Sequence, residues 1–228
     1  TYSGDITKTI EEELATITPD NLAEASVYLT RAGGKMLRPA LTLITAEAVG
    51  GSRESALKSG AAIELIHTFS LIHDDIMDQD DMRRGMPSCH KKYGEEYALL
   101  AGDGLLTRAF GIIAESDMAQ ESPEVAIRAI AELSRLAGAD GMIGGQVVDL
   151  RNENNPCSLD VLQTMDSLKT GALIRCSALL GVISAKGSEN QREAAVTYAD
   201  NLGHAFQIVD DILDVTGDEK ELGKPIGS

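Results

Sequence analysis

Five carboxylates fall within "HDDIMDQDDMRRG" (73–85), directly after the apolar run "IELIHTFSLI". Residues four apart on a helix lie about 40° apart around its axis and one turn along it, so Asp74 and Asp78 form a same-face pair. Two ionised carboxylates that close repel one another. Magnesium relieves such repulsion: it takes oxygen ligands, keeps several waters, and is commonly held by one or two carboxylates together with substrate phosphates. A solvated acidic helix end would explain one cluster of this kind. The string returns, however, since "FSLIHDDIMD" (69–78) is echoed by "FQIVDDILD" (206–214), where Asp210 and Asp214 make a second same-face pair. Carboxylates that continue a core-facing apolar stripe are costly unless paired or metal-bound. Two such clusters facing one cavity point to a diphosphate site holding several magnesium ions.

Magnesium alone does not neutralise two diphosphates, so cationic side chains should accompany the aspartates. Three strings offer them: "GGKMLRP", "MRRG" and "SLKTGALI". Lys35 and Arg38 follow a Gly-Gly turn at the start of a helix, where backbone amides and the positive end of the dipole also favour anions. Arg83 and Arg84 follow the first aspartate cluster directly. The planar fork of arginine suits phosphate oxygens, whereas lysine acts as a point charge. Any one of these cations taken singly reads as an ordinary solvated residue, and His67, on an apolar helix face, as a core histidine. Their combination is harder to dismiss.

The elements that must carry these residues are helices. Apolar residues recur at three- and four-residue spacing in "LTLITAEAVG", "ALKSGAAIELIHTFSLIHD", "YALLAGDGLLTRAFGIIAES", "VAIRAIAELSRLAG" and "REAAVTYADNLGHAFQIVDDILDV", and sustained period-two alternation is absent. The spacing predicts roughly eight to ten helices in an all-α bundle. Glycine pairs at Gly33–Gly34, Gly50–Gly51 and Gly144–Gly145, with Pro19, Pro87, Pro123 and Pro156, are expected to punctuate them.

A chain of 228 residues without a Pro/Ser-rich linker reads as one domain over 1–228. Its formal net charge of −16, from 20 Lys plus Arg against 36 Asp plus Glu, argues against nucleic-acid and anionic-membrane partners. Cys89, Cys157 and Cys176 form neither a paired framework nor a metal-binding pattern, which fits a reducing cytoplasm. There is no cationic start followed by an apolar stretch, and no run of about 18 apolar residues, so neither a secretory signal nor a membrane span is expected.

In order, "GGKMLRP", "HDDIMDQDDMRRG", "GGQ", "LKTGALI", "FQIVDDILD" and "GKPIGS" resemble the motifs of the short-chain trans-prenyl diphosphate synthases, from about residue 20 to the last. The resemblance implies an all-α bundle of long helices around a deep central apolar cavity, with the two aspartate-rich helix ends facing each other across its mouth. It implies three magnesium ions, with Asp74, Asp78 and Asp210 as ligands and Asp75, Asp211 and Asp214 in support. Arg83, Lys169 and Lys224 would contact an allylic diphosphate, and Lys35, Arg38, His67 and Arg84 would hold isopentenyl diphosphate. Thr170 and Gln207 would line the reacting centre, where Asp74, Lys169 and Asp210 also act. A homodimer is implied too, as are further C-terminal helices beyond "GKPIGS".

Product length in such an enzyme is set by what fills the cavity one turn before the first aspartates. Ser70, four residues before Asp74, should face the channel more squarely than Phe69, which would narrow its side. Geranylgeranyl diphosphate is the expected product and farnesyl diphosphate the alternative. A terpene cyclase would need no second diphosphate site, and a non-catalytic synthase subunit is expected to carry damaged aspartate motifs. His73–Asp74 imitates the metal pair of HD-type phosphohydrolases, but His90 and His204 do not complete such a set.

Overall fold

The computed structural model describes residues 1–152 and 157–216, with the side chains at 210, 211 and 213–216 outside the description. Among the described residues the regular structure is helical, apart from one short hairpin. The helices are α1 (Tyr2–Leu14), α2 (Asp20–Arg31), α3 (Leu37–Ala48), α4 (Arg53–Met77), α5 (Cys89–Tyr93), α6 (Glu95–Ala114), α7 (Asp117–Glu121) and α8 (Pro123–Ala137). They continue with α9 (Met142–Asn152), α10 (Leu159–Asp166), a π-helical turn (Ser167–Gly171), α11 (Ala172–Ser184) and α12 (Glu189–Thr216). That is more helices than periodicity predicts, because α5 and α7 each have five residues, too few to display a period.

Two helices organise the rest. α4 starts at Ser52, whose hydroxyl accepts from the Ser55 amide at 3.2 Å, satisfying one of the unpaired amides of the first turn. It then runs for 25 residues with Ile63, Leu65, Ile66, Phe69 and Ile72 buried. α11 is apolar all round and buries every residue except Arg175, as a helix enclosed by neighbours must. Gly181 lets it approach α3, since a Cβ there would lie 2.1 Å from the Thr42 carbonyl oxygen. The Thr45 hydroxyl then donates across to the Ala178 carbonyl at 3.1 Å.

By length and composition, Glu95–Ala114 and Leu159–Ser184 carry windows apolar enough to cross a membrane, yet 67% of the second window is buried among the other helices. Core helices of this kind satisfy the same test as spans.

One expected breakpoint is not one. Gly144 and Gly145 lie inside α9 instead of between helices. The missing side chain at Gly145 serves packing: a Cβ there would lie 2.3 Å from the Lys169 backbone nitrogen, so α9 rests directly on the π turn. Gly33–Gly34 and Gly50–Gly51 do fall between helices, and Pro123 is the first residue of α8, where a missing N–H costs nothing. Pro156 lies outside the described residues.

The hairpin after α4 pairs Met82 with Pro87 and Arg83 with Met86 in antiparallel register. It turns through Arg84 (φ 53°) and Gly85 (φ 75°), both left-handed, as a two-residue turn of this kind requires.

Candidate active site

α3, α4, α9, the π turn and α11 enclose a cavity of about 380 Å³. Arg38, His67, Asp74, Lys169 and Thr170 line it with Phe69, Ser70 and a wall of Leu71, Met77, Met142, Ile143, Val147, Leu150 and Leu173. An apolar pocket with a few convergent polar groups has the composition of a ligand site.

Asp74 and Asp75 occupy the last turn of α4, and Asp78 caps it, its amide donating to the Asp74 carbonyl at 2.8 Å. No basic residue of α4 lies in that turn, so the helix itself offers these carboxylates only the negative end of its dipole. Burial pushes Asp74 above its ordinary pKa; Lys169 opposes this and Asp78 adds to it. Asp75 points elsewhere: it is fully buried, and its Oδ1 accepts from Arg83 Nε at 2.6 Å. Arg83 also reaches Asp80 at 3.3 Å. The adjacent aspartates thus face a cavity and an arginine respectively.

Among the described residues no three carboxylate, imidazole or thiol side chains converge to hold a metal unaided. The Asp74–Asp78 pair nevertheless fits magnesium, which needs only one or two carboxylates when substrate phosphate and water complete its shell.

On the second flank Arg38, the second residue of α3, donates to His67 Nε2 at 3.4 Å. Burial, reinforced by Arg38, Arg84 and Arg83, holds His67 well below the usual imidazole range, so it is neutral and accepts through Nε2. Arg84 reaches back from the hairpin to donate to the Gly33 and Leu29 carbonyls. Its guanidinium rests on Gly34, where a Cβ would lie 3.0 Å away. Lys35 is exposed on the same turn. Arg38, Lys35 and Arg84 are therefore gathered around one glycine turn.

Lys169 and Thr170 reach the cavity from the π turn, and Lys169 Nζ donates to Asp149 of α9 at 2.6 Å. Single π turns are frequent at functional sites because the widened turn redirects side chains. Phe69 and Ser70 both face the cavity; Phe69 is 6% exposed, and the Ser70 hydroxyl donates to the His67 carbonyl at 2.9 Å. Gln207 is half-buried on α12, outside the described lining. Asp210, Asp211 and Asp214 belong to the last turns of α12, with side chains outside the description, and Lys224 lies outside the described residues.

Three residues of this region escape sequence reasoning. Gln146 lines the cavity with its Oε1 buried and without a hydrogen-bond partner; "GGQ" marks it, without saying why. Asp149, three residues on, gives no signal except its helical spacing from Gln146. Glu64 is 3% exposed, and burial raises its pKa to about 7 against the pull of Arg84 and Arg38. A lone acid in "AAIELIHT" was its only signal.

The all-helical bundle with this cavity is the isoprenoid synthase fold, seen in the geranylgeranyl pyrophosphate synthetase of Pyrococcus horikoshii Ot3. That structure superposes with a TM-score of 0.90 at 40% identity, over 98% of this chain and 67% of the other. The polyprenyl synthetase family profile matches residues 19–228, and the chain belongs to that family of prenyltransferases. It is 42% identical over 234 residues to the farnesyl diphosphate synthase of Bacillus subtilis (strain 168), covering 100% of this chain and 79% of the relative. It is also 42% identical over 228 residues to the chloroplastic heterodimeric geranylgeranyl pyrophosphate synthase large subunit 1 of Arabidopsis thaliana, where it spans 97% of itself and 62% of that protein.

Proposed function

We propose that this chain is a magnesium-dependent prenyl diphosphate synthase that condenses isopentenyl diphosphate with an allylic diphosphate, giving geranylgeranyl diphosphate as its main product. The observation that carries this reading is Asp74, a desolvated carboxylate on the wall of an apolar cavity with Lys169 beside it and Asp78 one turn on.

Asp74 and Asp78, together with Asp210 and with Asp75, Asp211 and Asp214 in support, would hold the metal. Magnesium when bound supplies charge stabilisation for a departing diphosphate. Lys169, Arg83 and Lys224 bind the allylic diphosphate and favour its departure electrostatically. Lys35, Arg38 and Arg84 hold the second diphosphate, and neutral His67 orients Arg38 through its Nε2. The carbonyl and hydroxyl dipoles at Gln207 and Thr170 steady positive charge on the allylic carbon. The apolar wall keeps water from the cation while the homoallylic double bond attacks it.

Phe69 favours farnesyl diphosphate as the second reading, because its ring stands where a longer chain would extend. Exposed Leu100 on α6 and Ile127 on α8, at 56% and 67%, support a homodimer. The unpaired cysteines are consistent with a cytoplasmic setting, and we treat residues 1–228 as one domain.

The test is incubation with magnesium, isopentenyl diphosphate and dimethylallyl, geranyl or farnesyl diphosphate, followed by chromatography of the dephosphorylated products. Geranylgeraniol is expected. Absence of condensation would reject the synthase reading, and a dominant farnesol peak would reject the product assignment.

A further inference from the structure

His73 has no place in the diphosphate chemistry, yet its side chain is held in the cavity wall by a ring contact and a hydrogen bond. It follows Phe69 by four positions on α4, so the two rings share a face. They meet edge to face, with centroids 4.9 Å apart and planes at 75°. The imidazole reaches across to α6, where Nε2 lies 3.2 Å from the Leu99 carbonyl oxygen and takes the donor role. It fills a notch left by Gly102: a Cβ at that position would lie 2.2 Å from Nε2 and 2.5 Å from Cδ2. Both rings line the cavity.

We propose that His73, seated in the Gly102 notch, fixes how far the Phe69 ring projects into the cavity, and that His73 and Gly102 are therefore positioning residues for product length. The proposal rests on the prenyl-chain reading given above. With the notch filled, the Phe69 ring has no space into which to withdraw towards α6. Without the imidazole a gap opens beside that ring, which can then swing aside and lengthen the channel. A side chain at residue 102 acts in the opposite sense, driving the imidazole out of its notch and towards the lumen. The two substitutions should therefore move product length in opposite directions, which a general loss of packing would not do.

The test measures product distributions of the purified enzyme and its variants with magnesium, isopentenyl diphosphate and geranyl diphosphate. His73→Ala should raise the ratio of the next longer product to the main one by at least about threefold, since one missing contact in an apolar pocket commonly discriminates tenfold or more. Gly102→Ala should raise the ratio of the next shorter product by a similar factor. His73→Gln keeps an N–H donor for Leu99 but lacks the ring, and should lengthen products as alanine does. In a Phe69→Leu background, His73→Ala should no longer shift the ratio, because coupled residues are not additive. Unchanged ratios in folded, condensing His73 variants would overturn the proposal, as would an equal shift with and without the Phe69 ring. Absence of condensation by the parent enzyme overturns the synthase reading and this inference together, whereas condensation with unchanged ratios overturns this inference alone.

Discussion

Asp74 is a carboxylate placed where a helix supplies no help: the dipole of α4 presents its negative end, burial removes water, and Asp78 adds like charge. Such a residue burdens folding and serves cation binding. Asp74→Ala should therefore reduce turnover by roughly two to three orders of magnitude while the melting temperature stays level or rises; near-parent turnover would remove Asp74 from the metal-binding set. Glu64 carries a second prediction. Its proton is held more tightly in the folded chain than in the unfolded one. Its contribution to stability is thus complete below the ordinary value of 4.5 and is lost as pH rises through about 7. Glu64→Gln cannot ionise, so relative to the parent it should gain up to about 3 kcal/mol on the alkaline side of that window and little on the acid side. Thermal melts on both sides decide this, and equal differences would show that Glu64 does not titrate there. The sequence makes Asp74 legible because it repeats at helical spacing from other acids. Glu64 and Asp149 are single acids whose meaning depends on Arg38, Arg84 and Lys169, residues distant in sequence that only folding brings near.

At the scale of elements, apolar periodicity foretold the long helices, α4 and α11 above all, because burial on one or all faces writes itself into three- and four-residue spacing. It could not foretell the π turn. Nothing in "SLKTGALI" distinguishes a widened turn from an α-helical one, since the difference lies in which carbonyl each amide selects. The glycine pair in α9 was misjudged for a related reason: a close approach and a chain break draw on the same property of glycine. Gly145→Ala tests the approach. Its methyl group would lie 2.3 Å from the Lys169 nitrogen, backbone that cannot step aside cheaply. Overpacking of this kind costs about 1–3 kcal/mol, and displacing the π turn should loosen the Lys169–Asp149 contact and lower kcat. Parent-like melting together with parent-like kcat would refute the packing argument.

Over the whole molecule, acidic charge dominates, with a formal net charge of −16. Several ion pairs are exposed, as Lys8–Glu12 and Lys186–Glu121 are, and pairs of that kind contribute little. Glu13, in contrast, is 8% exposed between Lys58 and Arg108 and ties α1 to α4 and α6, a buried contact that salt screens weakly. Self-repulsion is the larger salt-sensitive effect. Raising ionic strength from about 0.01 M to about 0.15 M, which shortens the screening length from about 30 Å to about 8 Å, should therefore raise the melting temperature. A fall would mean that surface pairs outweigh repulsion. The helical stretch from Leu159 to Ser184 has one more consequence, in its phase. An α-helix advances about 100° per residue, and a π turn takes up one residue more than an α turn over the same rise. The helices it joins differ in burial: α10 buries none of its residues, whereas α11 buries all of its own except Arg175. The turn is what a straight helix becomes on absorbing a single inserted residue without moving either end, and the residues that absorb it are the ones that present Lys169 and Thr170 to the cavity.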